Sequence, residues 1–239
     1  MEKINKLRTK FKELNLDGYL IPKNDEFFSE YVPEHKDDLK FISNFSGSYG
    51  LALILKKNNF LFVDGRYTIQ ANEQSGKIFK IVQLPLKKDN KLNIINKKIG
   101  FDPKLFNENF IKYFSKKLGV KFIATKNNLV KLLKKRENKI KKNRFFYSLD
   151  KSVTGLESLK KIRNLRRKYF NKNIDLMLVT SSENVAWLLN IRGHDSDFSP
   201  IPNSYLIIDK RIGIFLFCNI KKINSKFRKK FSFIKFLKI

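Results

Sequence analysis

The side chains that could do chemistry gather in two short stretches. A hydrolase that uses no metal needs a nucleophile with a base in reach, and His35 and His194 are the only histidines, hence the only unperturbed near-neutral bases. Neither sits in a nucleophile motif, and no Gly-x-Ser-x-Gly occurs. The densest polar group is Arg192-Gly193-His194-Asp195-Ser196-Asp197. Its histidine and two aspartates could bind a cation, or they could satisfy a turn and cap its neighbours. The further ligands that a closed or catalytic metal site needs do not accompany them, so the trio predicts no metal site by itself. Gly47-Ser48-Tyr49-Gly50 has no following Lys-Ser/Thr pair, which excludes a phosphate loop of the usual kind.

The second stretch is FLFVDGRYTIQA, residues 60 to 71. Asp64 ends an apolar run, Gly65 supplies a turn residue free to take positive φ, and Arg66 and Tyr67 open a helix. This pattern reads as a strand-to-helix corner. An arginine held at a rigid strand end is also a good carboxylate clamp, because its planar fork binds two oxygens at once.

The elements that must position these stretches are set by periodicity. Ile4, Leu7, Phe11 and Leu14 recur at helical spacing up to Asp17-Gly18, and Tyr19 to Pro22 read as a short buried strand. Asp25 and Ser29 are candidate caps for the segment after that strand. Leu51 to Leu55 and Phe60 to Asp64, joined by Lys-Lys-Asn-Asn, predict a hairpin. A helix closing on Gly76, strands in KIFKIVQL and KKIGFD, a helix closing on Gly119 and a strand over 120–125 complete an alternating α/β unit. After the basic run at 131–144 a second unit begins: a long helix from Gly155 to Asp175, the strand 176–180, a helix capped by Ser181 or Ser182, and the hairpin of SYLIID with RIGIFLF. No internal repeat is legible. That last hairpin is expected to lack part of a covering layer and to leave an open edge, and the part up to about residue 145 is expected to fold more stably than the remainder.

The formal net charge is +29 over 239 residues, which taken alone suggests nucleic acid or an anionic surface. The first 50 residues argue against that, with 8 Lys and Arg against 9 Asp and Glu. Lys, Asn, Ile and Phe are all abundant and all encoded by codons rich in A and T, so the charge reads as base-composition drift. No arginine-plus-aromatic RNA signature or zinc-knuckle spacing accompanies it. Cys218 is the only cysteine, so no intrachain disulfide is possible and a reducing compartment is expected. The N-terminus has no apolar signal region, and the apolar stretch 212–218 is far short of the roughly 20 residues that span a bilayer. The chain is therefore expected to be cytoplasmic, with no membrane and no nucleic-acid partner.

EYVPEHKDDLKFISNFSGSYGLALIL (30–55) followed by FLFVDGRYTIQA resembles the N-terminal domain of the Xaa-Pro aminopeptidases, relatives of prolidase and creatinase. The family pattern is Glu-Tyr-x-Pro, an aromatic-rich Ser/Thr-Gly-Phe-x-Gly-Ser-x-Gly turn, and Asp-Gly-Arg-Tyr. All of it is present except the first glycine of the turn, where Asn44 stands. SSENVAWLLNIRGHDSDFSPIPNSYLII (181–208) resembles the family's middle domain, with His194 where a serine is more usual.

The resemblance implies an α/β fold with two creatinase N-terminal-like domains, 1–148 and 149–239, each a mixed β-sheet flanked by helices, the second truncated. In the family, two divalent metals, commonly manganese, are held by two Asp, one His and two Glu in a third domain of pita-bread fold. That domain is expected to lie outside this sequence, so no catalytic, cofactor-binding or metal residue carries over. Asp64, Arg66, Tyr67, Trp187, Arg192, His194 and Asp195 become candidates for interdomain or cleft-rim positions. The function implied is a non-catalytic region that shapes the entrance of a Xaa-Pro aminopeptidase and supports assembly. Its partner would be a second copy in a homodimer or a catalytic domain encoded separately, with peptide substrates only when that domain is present. A free-standing docking module, or the remnant of a decayed gene, is the alternative. A basic binder of nucleic acid or membrane surface is the third reading.

Overall fold

The computed structural model describes residues 1–86, 92, 94–134, 144–170 and 173–239. Most of the basic run at 131–144 therefore lies outside the described residues. The chain divides into two units, Met1–Glu26 with Glu34–Asn138, and Phe27–Pro33 with Lys139–Ile239.

In the first unit, α1 (Glu2–Glu13) buries Ile4, Leu7 and Phe11 on one stripe, as their spacing dictates. Leu14 does not complete that stripe: it ends the helix and is 52% exposed, while Asn15 turns the chain left-handed (φ 53°) and Leu16 enters the core instead. β1 (Gly18–Pro22) comes next. The second α-helix, α2 (Asp38–Ser43), is capped by Asp37, whose carboxylate accepts the Lys40 N–H at 2.9 Å and pairs with Lys23 at 2.5 Å. Asp25 and Ser29, expected as caps, lie in non-helical chain. β2 (Leu51–Leu55) and β3 (Asn59–Asp64) form the expected hairpin, with Leu53 opposite Phe60 and Leu51 opposite Phe62. Then come α3 (Thr68–Ser75), β4 (Lys80–Leu84), β5 (Lys98–Phe101), α4 (Glu108–Leu118) and β6 (Lys121–Ala124).

These strands make one six-stranded mixed sheet in the order β4-β3-β2-β1-β5-β6. β1, β2 and β3 pair antiparallel, and the remaining pairs are parallel. Both faces are covered, which is why the central strands read as unbroken apolar runs. α1, α2 and α3 pack one face around Tyr19, Ile54 and Leu61. α4 packs the other, where Phe114 and Leu118 meet Leu20, Leu53, Phe60 and Phe62.

The second unit contains β7 (Tyr147–Ser148), α5 (Lys151–Thr154), α6 (Ser158–Tyr169), β8 (Leu176–Val179), α7 (Ser182–Leu189), β9 (Ile191–Arg192), β10 (Ser204–Asp209), β11 (Gly213–Cys218), α8 (Ser225–Lys230) and β12 (Ile234–Lys238). The long helix predicted from Gly155 is shorter, because Glu157 in extended backbone (φ −67°, ψ 147°) forces its start to Ser158. The main sheet has the order β12-β11-β10-β8, with β8, β10 and β11 antiparallel and β12 parallel to β11. The hairpin β10–β11 lies in the middle of this sheet, so the predicted open edge is not its own.

An internal repeat, not legible in the sequence, is plain in this topology. The series α1-β1-α2-β2-β3-α3-β4 returns as α6-β8-α7-β10-β11-α8-β12, with the same strand directions and the same neighbours. The cross-strand row Leu20–Leu53–Phe60–Lys80 returns as Leu178–Ile207–Phe215–Lys235. What repeats is register and burial, with few identical residues, so letter matching misses it. Among the described residues the second series shows no counterparts of β5, α4 and β6. α6, α7 and α8 all pack on the face of Leu206, Ile208 and Leu216. Among the described residues of this unit no helix takes the place of α4, and Leu176 and Leu178 on that side are 51% and 56% exposed.

Two matched substitutions test this difference. Phe60→Ala is expected to cost about 3–5 kcal/mol, since it opens a cavity under α4. Phe215→Ala, at the matching position on a partly exposed face, is expected to cost about 1 kcal/mol. Hydrogen exchange of the β2–β3 amides reads the first loss, and denaturation followed by the fluorescence of Trp187, the only tryptophan, reads the second. Equal losses would mean that the second face is covered.

Candidate functional site

In the first unit, Asp64, Arg66 and Tyr67 form one corner. Asp64 ends β3 and accepts the Arg66 backbone N–H at 2.9 Å, which starts a single 3-10 turn over Gly65–Tyr67. The Arg66 guanidinium then closes back on the same carboxylate, Nε donating to Oδ1 at 3.2 Å and the second nitrogen to Oδ2 at 2.7 Å. The fork that could clamp an external carboxylate is thus occupied from within the motif, although the arginine side chain is 74% exposed. These bonds hold the Asp64 carboxyl below, and the Arg66 guanidinium above, its ordinary range. Tyr67 anchors the corner from the other side: its hydroxyl meets Ser48 Oγ at 2.7 Å and its ring stands edge-on to Phe45 at 5.8 Å.

One glycine expectation changes here, and a second glycine gains a role. Gly65 does not use positive φ. Gly47 serves packing, since a Cβ there would stand 2.2 Å from Cζ of the buried Phe45 ring.

In the second unit, Arg192, His194 and Asp195 come just after α7 and are fixed by short-range contacts. Ser181 caps α7 by accepting the Asn184 N–H at 3.4 Å, and Asn190 ends it in the left-handed region (φ 55°). Arg192 pairs with Tyr147 across β9 and β7, and its guanidinium donates to the carbonyls of Ala186 (3.3 Å) and Ile191 (2.9 Å). The His194 ring lies 5.5 Å from that of Tyr147. Asp195 accepts the Asn203 N–H at 2.8 Å and pairs with Lys222. Trp187, also on α7, is 61% exposed and carries the Lys161 ammonium 4.2 Å from its ring centroid.

Lys161 is the residue that sequence reading missed. It is 6% exposed, and its ammonium donates to Asn190 Oδ1 (2.6 Å) and to the Trp187 carbonyl (2.7 Å) at the end of α7. Burial, with repulsion from Arg192, lowers its pKa. The Asn190 amide passes the link on to Thr154 Oγ1 (3.1 Å) and the Leu156 carbonyl (2.8 Å). The available signal was the asparagine closing the helix Trp-Leu-Leu-Asn, a left-handed cap type.

His194, Asp195 and Asp197 do not form a metal cradle. Among the described residues no group of three or more His, Cys, Asp or Glu could hold an ion. Cys218 offers no nucleophile: it is buried beneath the sheet, which pushes its thiol up to about 11.

Family models described as the creatinase/prolidase N-terminal domain match residues 3–133 and residues 136–236. The chain belongs to this family. Xaa-Pro aminopeptidase 1 of Dictyostelium discoideum is 34% identical over 243 residues, a match covering 94% of this chain and 38% of that protein. Xaa-Pro aminopeptidase app-1 of Caenorhabditis elegans is 31% identical, covering 97% of this chain and 40% of that protein. The crystal structure of the X-prolyl aminopeptidase from C. elegans, described as a cytosolic enzyme with a di-nuclear active site, superposes with a TM-score of 0.85 at 30% identity. That superposition covers 99% of this chain and 42% of the enzyme. The chain thus spans about two fifths of the length of these relatives, in the creatinase-type N-terminal region. No helix among the described residues is long and apolar enough to cross a membrane.

These contacts have two testable outcomes. Gly47→Ala is expected to destabilise the first unit by about 1–3 kcal/mol through displacement of Phe45, whereas Arg66→Ala is expected to leave stability nearly unchanged because its ion pair is exposed. Urea denaturation of each variant, read by far-ultraviolet circular dichroism, checks both. Because its thiol stays protonated and covered, Cys218 is expected not to react with Ellman's reagent at pH 8 until denaturant is added, and fast labelling of the native chain would contradict this.

Proposed function

We propose that this chain supplies the non-catalytic N-terminal region of a Xaa-Pro aminopeptidase, the enzyme class that releases the residue preceding proline by two-metal hydrolysis. The observation that supports this most is the superposition on 99% of this chain but only 42% of the C. elegans enzyme, whose di-nuclear centre has no matching group of ligands among the described residues here. In this reading the chain shapes the entrance to a catalytic cleft and takes part in assembly, as a homodimer or bound to a catalytic domain encoded separately. Asp64, Arg66, Tyr67, Trp187, Arg192, His194 and Asp195 occupy interdomain or rim positions, and the setting is cytoplasmic. The exposed Arg66 and Trp187 are the members best placed to meet a partner. The remaining members hold the corners that aim them.

The test is hydrolysis of an X-Pro peptide by residues 1 to 239 with added manganese. No release of the first residue is expected from the chain alone. Release is expected once the remaining portion of the D. discoideum relative is supplied, with Trp187→Ala lowering it. Release by the isolated chain would sink this reading.

A further inference from the structure

The internal repeat extends from the strands to one side-chain device. Lys3 precedes Leu20 by the same number of residues as Lys161 precedes Leu178. Lys3 donates to the Phe41 carbonyl at 3.1 Å and holds its ammonium 4.3 Å from the Phe41 ring centroid. Lys161 does the same to Trp187, at 2.7 Å and 4.2 Å. Phe41 and Trp187 each stand one turn before the left-handed asparagine that ends the helix, Asn44 and Asn190. The two rings differ in what else lies on them. Phe41 holds a second ammonium, that of Lys134, 5.3 Å from its centroid, and Asp38, one helical turn before the ring, pairs with that lysine at 2.6 Å. Trp187 holds only Lys161 among the described residues, and it is 61% exposed. The carboxylate is nevertheless in place. Glu183 lies one turn before Trp187 on the exposed side of α7, accepts the Ser181 hydroxyl at 2.7 Å, and has no cationic partner among the described residues.

We propose that Trp187 and Glu183 form a seat for an arginine side chain of a partner protein. The first unit chooses the occupant, because there the matching ring, with an acid one turn before it, is filled by a cation. It also shows that one ring in this fold carries two ammonium groups, so Lys161 does not close the seat. Lys161 has its own part: buried and bonded to Asn190 Oδ1 and the Trp187 carbonyl, it fixes the end of α7 and leaves the exposed side of the indole to a partner. Indole is the best aromatic acceptor for a cation. Arginine suits this pair better than lysine, since its planar guanidinium stacks on a ring while its edge forks onto a carboxylate. The seat deepens the rim role given to Trp187 and rests on that reading for the partner being a protein chain.

The test follows the indole N–H resonance of Trp187, the only tryptophan, in the 239-residue chain. Titration with N-acetylarginine methylamide is expected to shift it along a saturable curve. The citrulline analogue, which keeps the shape and loses the charge, is expected to bind at least about threefold more weakly. Glu183→Gln is expected to weaken the response to the arginine compound about threefold, the size of an exposed ion pair. Asn184→Asp, which gives Trp187 the spacing that Asp38 has to Phe41, is expected to strengthen it about threefold. Circular dichroism establishes that both variants remain folded. Equal responses to the arginine and citrulline compounds, or a response indifferent to Glu183→Gln, would overturn the proposal. Peptide hydrolysis by the isolated chain would count against the proposed function alone and leave the seat standing.

Discussion

Phe62 of β3 stands edge-on to Phe114 of α4 at 5.7 Å, and around this pair the first sheet acquires its second covered face. A sheet whose central strands are apolar on both sides needs a layer on each, because burial of that area is the main favourable contribution to folding. The first unit meets this with three helices on one side and α4 on the other. Among the described residues the second unit keeps to the same plan as far as β12, with three helices on one side and Phe27 stacked on Tyr205 at 5.1 Å on the other. Among the described residues the units thus differ by β5, α4 and β6, not by unrelated folds.

The acidic side chains show how the corners are kept in a chain with 51 basic and 22 acidic residues. Asp37, Asp64, Asp102 and Asp209 each accept a backbone N–H at the start of a turn or helix. Asp38 pairs with Lys134 at 2.6 Å and is almost wholly buried, and Asp195 ties its loop to Lys222. These carboxylates hold turns and helix starts, and Asp64 holds the strand end that presents the exposed Arg66. Specific aspartates thus carry the geometry, while most of the excess lysines lie on solvated surfaces.

Much of this was legible in the sequence. Helical spacing of Ile4, Leu7 and Phe11, the two hairpins and the serine cap of α7 come from local rules, which also give their placement. The family resemblance rested on ordered motifs, and the family match bears it out. Three features escaped because residue types and spacing alone do not say which groups meet. Arg66 looked like a free clamp, but the carboxylate two residues earlier reaches its fork first. Lys161 is one lysine among many in its helix, and only the arrival of Asn190 distinguishes it. The repeat is written in register and burial, which a reading of letters does not compare.

Hydroxyl-radical footprinting of the 239-residue chain in solution tests the central claim directly by comparing equivalent rows of the two sheets. Leu53, Phe60 and Phe62 should remain unlabelled while Leu178 is oxidised readily and Phe215 and Phe217 to an intermediate degree. Equal protection of both rows would contradict the account, since it would mean that the second sheet already has a layer on each face.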